Sequence, residues 1–521
     1  MPVLTSTEPL SPDRLIERPS PSASRAPGAG DYSATAAPSR HPAPDPVQPS
    51  YDPVPLCVDL DGTLVKSDTL HDSLLLLLRT NPWNFLLSLW LLLRNRAHGK
   101  QFIARVRPLD VRNLPWNQAV VRFLRAQRGQ NRCIVLATGA DHRLAQSVAA
   151  HLGCFDQVLA STAGINLVGR AKLAALKAQF PSFDYIGNSR ADLPLLASAR
   201  NAILANPSPT LQRAIHRRRI AVSTTLPDRA PRSASLARAL RLHQWVKNLL
   251  LFGPLLLAHH LSAHRAAPGL LAFLAFGCAA SACYVFNDLL DLENDRRHSR
   301  KRLRPFASGD LGLPQGLALI LLLLLLAATP CLFLPAEFGL WLAAYVAITA
   351  LYSLRLKRIA IADVIVLSAL YTLRLFAGGA ATATAISLWL SSFAIFFFAS
   401  LALFKRLNEL EILRQQGGTE IPGRGYRVAD SDLIRSLGSA AAYASLAIFA
   451  LYAAHPDVIQ LYPHPERLWL VLAPLAFWLL RMGMLASRGQ LHEDPVLFAL
   501  RDRTSLALAA LILALAWSAT R

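Results

Sequence analysis

Acidic residues are scarce in this sequence. Its 521 residues include 33 Asp and Glu against 54 Lys and Arg, which gives a formal net charge of +21. A positive excess of this size suits either nucleic acid or an anionic membrane surface, so the placement of the charges has to decide between them. Cysteine is also rare. The six cysteines show no metal-ligand spacing, so neither a zinc centre nor a disulfide framework is expected.

Long apolar runs occupy the C-terminal half. From about residue 249 onward, several of them reach the ~20 residues that one bilayer span requires. The clearest are 269–290, 313–334, 387–404 and 468–485. The sequence therefore predicts an all-α polytopic membrane domain of about nine transmembrane helices in residues 241–521.

The basic residues of this half fall in alternate loops. Arg and Lys cluster at 296–304, 355–358, 405–435 and 481–503, whereas the loops between them hold almost none. Because basic loops stay in the cytoplasm, this pattern predicts an integral protein of the bacterial inner (plasma) membrane with its N-terminal domain in the cytoplasm. With nine spans, the C-terminus would lie outside. Anionic substrates and lipid headgroups are expected as partners, and nucleic acid is not.

The N-terminal half has a different composition. Residues 1–50 are rich in Pro, Ser and Ala and lack an apolar periodic stretch, which predicts a disordered tail. Residues 51–220 alternate strand-like and helix-like segments, the pattern of a parallel α/β sheet. Residues 221–240, rich in Ser, Pro and Arg, are expected to link the two halves.

An apolar insert at 71–94 interrupts the α/β pattern. Two Leu-rich pieces, each too short for a span, flank the turn at Asn81-Pro82, which predicts a helical hairpin. We expect the hairpin to lie in the membrane interface. An apolar cap packed on its own domain is the alternative.

Two carboxylates, Asp59 and Asp61, follow the first predicted strand, 54–60, in an Asp-Leu-Asp-Gly-Thr segment. Carboxylates two residues apart at the carboxyl end of a strand can act as nucleophile and general acid/base around one Mg²⁺. The sequence therefore predicts phosphoryl chemistry at this edge of the sheet.

This segment resembles the first motif of the haloacid dehalogenase (HAD) phosphohydrolases, and three later segments resemble the other motifs in the same order. The resemblance implies that Thr138 holds the phosphoryl oxygens and that Lys172, or else Lys177, neutralises nucleophile and phosphate. The implied Mg²⁺ ligands are Asp59, Asp61, Asn188 and Asp192. Asn188 departs from the family, which has an acidic residue there, and an amide is a weaker ligand. The domain is therefore either an active phosphatase or a degenerate regulatory or scaffolding domain.

A second acidic motif ends the second apolar run. Asp288, Asp291 and Asp295 have the spacing that places them on one helical face. Three carboxylates in one patch repel each other unless cations bridge them, and Mg²⁺ bound to a phosphorylated substrate would do so at the end of a membrane helix. The basic run 296–304 that follows suits a phosphate clamp.

The Asn-Asp-x-x-Asp-x-x-x-Asp motif that begins at Asn287 resembles that of the UbiA prenyltransferase superfamily, and the likeness covers residues 240–520. Finer signals at 241–248, 301–305 and 371–374 are similar to decaprenyl-phosphate phosphoribosyltransferases. These enzymes move 5-phosphoribosyl from phosphoribosyl pyrophosphate (PRPP) to a polyprenyl phosphate.

This second resemblance also implies site residues. Mg²⁺-pyrophosphate would be bound by Asn287, Asp288, Asp291 and Asp295. The substrates would contact Lys247, Lys301, Arg302, Arg304, Tyr352, Lys357, Tyr371, Arg374, Lys405 and Arg406, the last two at the lipid phosphate. An interfacial aromatic belt is the alternative role for Tyr352 and Tyr371, and a role in topology is the alternative for Lys357.

One missing motif bears on the donor. Prenyl-diphosphate enzymes of the superfamily usually carry a second Asp-x-x-x-Asp motif, but here Leu367 stands four residues after Asp363. One metal site among many Arg and Lys suits PRPP, and the HAD-like domain could then remove the 5-phosphate of the lipid-linked product. A prenyltransferase acting on an aromatic or quinone-precursor acceptor is the alternative, and a transporter or scaffold is the third hypothesis. The oligomeric state stays open.

Overall fold

The computed structural model describes residues 54–520, except 163, 258–262, 422, 457, 459–461, 492 and 493. The tail predicted at 1–50 lies outside them. The N-terminal half contains a six-stranded, all-parallel sheet with the strand order β3-β2-β1-β4-β5-β6. Its strands are β1 (Leu56–Val58), β2 (Ile134–Asp141), β3 (Gln157–Ser161), β4 (Asp184–Gly187), β5 (Ala202–Ala205) and β6 (Val222–Leu226).

Among the described residues, nine helices accompany this sheet: α1 (Thr69–Thr80), α2 (Pro82–Arg94), α3 (Arg96–Val106), α4 (Gln118–Gly129), α5 (His142–Leu152), α6 (Arg170–Gln179), α7 (Leu193–Ser198), α8 (Pro209–Arg218) and α9 (Arg232–Leu240). Helices α4 and α5 pack on one face of the sheet, and α6, α7 and α8 pack on the other. Because side chains alternate along a strand, β1 sends Leu56 and Val58 into one buried cluster and Cys57 into another. The predicted α/β domain is confirmed, with the first strand shorter than 54–60.

The apolar insert forms the helical hairpin that its sequence predicts. Asp68 caps α1 by accepting a hydrogen bond from the His71 N–H at 3.1 Å. Asn81 ends α1 and caps α2, with Pro82 in the first turn of α2. A third helix, α3, follows directly and was not predicted. The two helices of the hairpin differ in exposure: α1 is largely buried, whereas α2 leaves Trp83 82% exposed.

The segment expected to be a linker, 221–240, is instead folded. It contains strand β6, which pairs with β5, and helix α9, whose Ala239 is fully buried. The linker prediction failed because β6 is an edge strand with mostly exposed polar side chains, so no apolar alternation marks it.

The C-terminal half is helical, as predicted. Its helices are α10 (Gly253–Leu257), α11 (Ala263–Leu290), α12 (Leu292–Arg297), α13 (Leu313–Ala328), α14 (Ala336–Leu354), α15 (Ala362–Thr382), α16 (Leu388–Gln415), α17 (Ser431–Ala453), α18 (Trp469–Ser487), α19 (Pro495–Ala499) and α20 (Arg503–Ala519). Within the described residues, seven of them (α11 and α13 to α18) are long and apolar enough to cross a membrane, and α20 is a shorter apolar helix. The predicted count of nine is therefore approximate, because the first apolar run is divided into a 3₁₀ segment (Leu242–Phe252) and the short α10.

The sheet domain packs against the ends of the membrane helices. Leu75 of α1 shares a buried cluster with Leu289 and Leu292. Next to this cluster, the Arg296 guanidinium donates to Asp72 Oδ2 at 2.8 Å and to Ser67 Oγ at 3.2 Å. Apolar burial and buried hydrogen bonds therefore join the insert to the acidic motif of the membrane domain.

Two candidate active sites

The first candidate site lies at the carboxyl ends of the central strands. Asp59 follows β1 and is buried, and its Oδ1 accepts a hydrogen bond from Lys172 Nζ at 2.7 Å. Lys172 stands in the first turn of α6, and Tyr185 on β4 holds its ammonium at 3.1 Å. Lys177, the alternative cation, is exposed on the same helix. The structure thus places Lys172 next to Asp59, the predicted nucleophile.

Both carboxyl groups of this site have raised pKa values. Burial is the largest cause, and it raises the pKa of Asp59 to about 6 and the pKa of Asp61 to about 7. Asp61 Oδ1 accepts the Thr69 N–H at 2.7 Å. Thr138 is fully buried within the neighbouring β2. A carboxylic acid with a pKa near neutrality can give and take a proton beside a nucleophile.

In the fourth motif, Asn188 and Asp192 have different surroundings. Both carboxylate oxygens of Asp192 already have donors within the domain: Oδ2 accepts from Ser189 N and Oγ, and Oδ1 accepts from the Tyr185 hydroxyl. Asn188 Oδ1, in contrast, is buried and has no hydrogen-bond partner among the described residues. Its amide lies against the first motif, since a Cβ on Gly62 would lie 2.0 Å from Asn188 Nδ2. Asn188 therefore fits a neutral oxygen ligand, whereas Asp192 orders the loop.

The oxygen set Asp59, Asp61 and Asn188 has the chemistry that Mg²⁺ prefers. The raised carboxyl pKa values mean that these groups stabilise the metal-free domain at low pH and that this stability is lost as pH rises toward about 7. A cation binds the ionised carboxylates. We therefore expect Mg²⁺ to raise the melting temperature more at about pH 8 than at about pH 5.5, as scanning calorimetry with Mg²⁺ or EDTA would measure. Asp61→Asn should reduce this difference, and an equal Mg²⁺ effect at both pH values would contradict the assignment.

The unpredicted helix α3 supplies a further residue to this site. Lys100 Nζ donates to the Gly139 carbonyl at 2.6 Å and to Asn166 Oδ1 at 3.0 Å. Together with Arg107, Arg143 and Asp61, Lys100 lines an open cavity between the insert and the sheet. No local motif marks Lys100, because only the packing of the insert places it beside the second motif.

The second candidate site surrounds the acidic motif at the end of α11. Helix α11 ends at Leu290 and α12 begins at Leu292, so the three aspartates do not share one continuous helical face as their spacing predicts. Cations hold them together instead. Arg304 Nη1 lies 3.1 Å from Asp288 Oδ1 and 2.7 Å from Asp295 Oδ2.

Two further cations complete this cluster. Arg241 Nη2 lies 2.5 Å from Asp288 Oδ1, and Lys357 Nζ donates to Asn287 Oδ1 at 2.9 Å and to Asp291 Oδ2 at 2.6 Å. Arg241 was not among the predicted site residues, although it begins the basic segment before the first apolar run. Lys301 and Arg302 are exposed in the turn after α12 and remain accessible to an anion.

Charge and burial oppose each other around these aspartates. Burial raises the pKa of Asp295 to about 6 and lowers the pKa of the Lys357 ammonium. In the described part of the chain, no three His, Cys, Asp or Glu side chains are grouped to hold a metal. Asp291 Oδ1 is nevertheless buried and has no hydrogen-bond partner in the described part of the chain. This oxygen, with Asn287 beside it, fits a hard cation that would replace part of the Lys357 contact.

A second cationic cluster is centred on Asp494. Lys247 and Lys405 each place Nζ 3.0 Å from its Oδ2, and the Tyr371 hydroxyl donates to its Oδ1 at 3.1 Å. Buried Arg374 stands nearby, with its guanidinium 5.5 Å from the Tyr371 ring. Two lysines on one carboxylate leave positive charge for another anion. Asp494 was not among the predicted site residues, although its segment is one of those that are similar to the phosphoribosyltransferases.

Arg406 has internal partners rather than an open anion site. It is fully buried, and its Nε donates to Asp363 Oδ2 at 2.7 Å. Arg424 donates to the same oxygen at 3.0 Å, and Tyr426 donates to Asp363 Oδ1. Arg424 also contacts the Tyr352 hydroxyl at 3.2 Å. Asp363 is therefore neutralised. Arg406 Nη2 is buried without a hydrogen-bond partner among the described residues, and the expected contact of Arg406 with a lipid phosphate stays a prediction.

The fold and these two sites define a polytopic membrane enzyme with a phosphohydrolase-like α/β domain in front of it. The model of the UbiA prenyltransferase family matches residues 249–495, and the model of the haloacid dehalogenase-like hydrolases matches residues 56–197. The chain belongs to the UbiA prenyltransferase family, carries an N-terminal HAD-like domain and is a transferase.

Three relatives show the range of similarity. The uncharacterized protein y4nM of Sinorhizobium fredii is 38% identical, over 88% of this chain and 90% of its own length. The nodulation protein NoeC of Azorhizobium caulinodans is 35% identical, over 51% of this chain and 87% of its own length. The decaprenyl-phosphate phosphoribosyltransferase of Mycolicibacterium smegmatis is 30% identical, over 55% of this chain and 91% of its own length.

Proposed function

We propose that the membrane domain transfers 5-phosphoribosyl from PRPP to a polyprenyl phosphate and that the HAD-like domain then removes the 5-phosphate. The neutralised Asp363 carries this proposal. A donor bound by two Mg²⁺ ions would need a second open carboxylate, but Arg406, Arg424 and Tyr426 occupy both oxygens of Asp363. A site with one acidic motif and many cations suits a highly charged, water-soluble donor head. The relative named as a phosphoribosyltransferase points to the same donor class.

The cations of the acidic motif would bind the donor. Mg²⁺ held by Asn287, Asp288 and Asp291 would neutralise the pyrophosphate, which is the leaving group. Arg304 and Lys357, already at the motif, would contact its oxygens. As the bond from ribose C1 to pyrophosphate breaks, a lipid phosphate oxygen forms the new bond to C1. A phosphate anion is nucleophilic without a general base, so positioning and charge neutralisation account for the rate.

The lipid phosphate would be bound at the cluster around Asp494. Lys247 and Lys405 share one carboxylate there, so their two positive charges exceed its single negative charge. A phosphate that approaches the two ammonium groups therefore gains charge-assisted hydrogen bonds. Tyr284, one helical turn before Asp288, lies under the Arg241 guanidinium and interacts electrostatically with Lys247. The two anion sites would therefore adjoin at Tyr284.

The HAD-like domain supplies the groups for phosphate hydrolysis. The Asp59 carboxylate would attack phosphorus as the ribose oxygen leaves, and Asp61 in its protonated form would give that oxygen a proton. Water would then cleave the aspartyl phosphate while the Asp61 carboxylate takes its proton, which releases phosphate and restores Asp59. Lys172 and Thr138 would hold the phosphoryl oxygens, and Mg²⁺ at Asp59 and Asn188 would offset their charge.

The exposed face of α2 supports a location at the membrane surface. Trp83, Leu86, Trp90 and Leu93 are between 49% and 88% exposed, and a lipid interface would cover them. The alternating basic loops support an inner-membrane protein with the HAD-like domain in the cytoplasm.

The test is to incubate purified protein with Mg²⁺, radiolabelled PRPP and a polyprenyl phosphate, and to follow the label into the lipid phase. We expect label to enter the lipid. Consumption of a prenyl diphosphate together with an aromatic acceptor, and indifference to PRPP, would instead establish the alternative, an aromatic prenyltransferase.

A further inference from the structure

Helix α1 of the insert reaches both candidate sites. At its first residue, the Thr69 N–H donates to Asp61 of the HAD-like site at 2.7 Å. In its last turn, Arg79 Nη1 lies 3.6 Å from Asp291 Oδ1 of the membrane site. The helix has 12 residues and is therefore ~18 Å long. One short, largely buried helix thus spans the distance between the two sites.

The position of Arg79 is fixed from several sides. Its side chain is only 10% exposed, and its carbonyl accepts a hydrogen bond from Arg358 Nη2 at 3.1 Å. With the amide of Asn294 oriented to satisfy both groups, the Asn294 oxygen accepts from Arg79 Nη2 at 2.7 Å and from Nη1 at 3.2 Å. The guanidinium is therefore directed into the acidic motif.

The charge balance at this point favours an anionic ligand. Asp291 is shared by Arg79 and Lys357, with Lys357 closer at 2.6 Å. The Arg79 guanidinium is nearly buried, and its carboxylate partner lies 3.6 Å away and also pairs with Lys357, so the positive charge of Arg79 is only partly neutralised. Burying such a charge costs free energy unless a further anion binds to it. A planar guanidinium can donate two parallel hydrogen bonds to phosphate oxygens.

We infer that Arg79 of the HAD-like domain is a substrate-binding residue of the transferase, where it contacts the diphosphate of the donor. The membrane domain alone is then an incomplete enzyme. This inference rests on the proposed transfer from a diphosphate donor and applies to PRPP and to a prenyl diphosphate alike, because both release pyrophosphate.

The test measures binding of pyrophosphate to the purified full-length protein by calorimetry, with Mg²⁺ present. Arg79→Ala and Arg79→Gln should each raise the dissociation constant about tenfold, which is the loss of one charge-assisted contact. Arg79→Lys keeps the positive charge and should recover most of the affinity. Arg94→Ala is the matched control, because Arg94 ends α2 and stacks on Trp90 at 4.5 Å, away from the site.

Two results would overturn the inference. One is wild-type affinity in Arg79→Ala. The other is an affinity that follows the melting temperature rather than the charge, with Lys as weak as Gln and Ala, since Arg79 would then only hold the domains together. A wild-type protein that binds pyrophosphate but does not use PRPP would refute the proposed function and leave the inference on Arg79 standing.

Discussion

Asp291→Asn is expected to lower the rate of transfer about 10³-fold while the protein stays folded. The two oxygens of Asp291 have different surroundings. Oδ1 is buried without a hydrogen-bond partner among the described residues and lies 3.6 Å from Arg79 Nη1, whereas Oδ2 accepts from Lys357 at 2.6 Å. An asparagine oxygen can still accept that hydrogen bond. The substitution therefore removes the negative charge that would hold a cation and its pyrophosphate, and it leaves Lys357 with a partner.

Initial rates of label transfer, measured at several Mg²⁺ concentrations, check this prediction. Glu293→Gln is the matched control, because Glu293 belongs to the same acidic segment but pairs with Arg297 at 2.6 Å on the surface. The control should transfer at the wild-type rate. A loss smaller than about tenfold in Asp291→Asn would remove this residue from the metal and pyrophosphate site. Asp288 is a less informative position, because its loss would leave Arg241 without its carboxylate and would leave Arg304 with Asp295 alone.

Asp59→Asn should separate the two activities. Hydrolysis of the 5-phosphate should fall at least about 10³-fold, because the attacking carboxylate is lost. Lys172 keeps its contacts with the Tyr185 hydroxyl and with the Asp192 carboxylate. Transfer should stay within about twofold of wild type, because Asp59 does not contact the membrane domain. The lipid product should therefore accumulate with its 5-phosphate still attached.

Mass spectrometry of the extracted lipid distinguishes the two products by one phosphate. Asp228→Asn serves as the control, since the Asp228 side chain accepts the Gln118 N–H at 2.7 Å on the surface of the same domain. Complete dephosphorylation by Asp59→Asn would show that the HAD-like domain is not the phosphatase. A wild-type product that keeps its 5-phosphate would show that the Asn188 site is inactive toward it.

Several elements could be predicted from the sequence because their signals are local. The Asn81-Pro82 turn between two Leu-rich pieces predicts the α1–α2 hairpin, and long apolar runs predict the membrane helices. The Asp-Leu-Asp-Gly-Thr segment at Asp59 predicts the position of the first site for the same reason. Strand β6 could not be predicted, because an edge strand with polar side chains has the composition of a linker.

The contacts of the individual site residues could not be predicted from the sequence. The spacing of the acidic motif predicts that Asp288, Asp291 and Asp295 adjoin, yet it predicts neither the helix break at Asp291 nor the arginines that separate the carboxylates. The same applies to Asn188 and Asp192, which were both expected to be metal ligands. In the structure, Asn188 Oδ1 has no hydrogen-bond partner among the described residues, whereas Asp192 accepts hydrogen bonds from its own loop.

The sequence by itself determined the two domains, the order of their motifs and the family to which the chain belongs, because each of these depends on residues that are neighbours in the chain. Only the tertiary structure decided that Asp363 is neutralised by Arg406 and Arg424, and that Arg79 reaches Asp291. Such contacts join distant segments, as do Arg296 and Asp72, which are 224 residues apart. Apolar packing brings these segments together, and no local pattern records which charged side chains it leaves in contact.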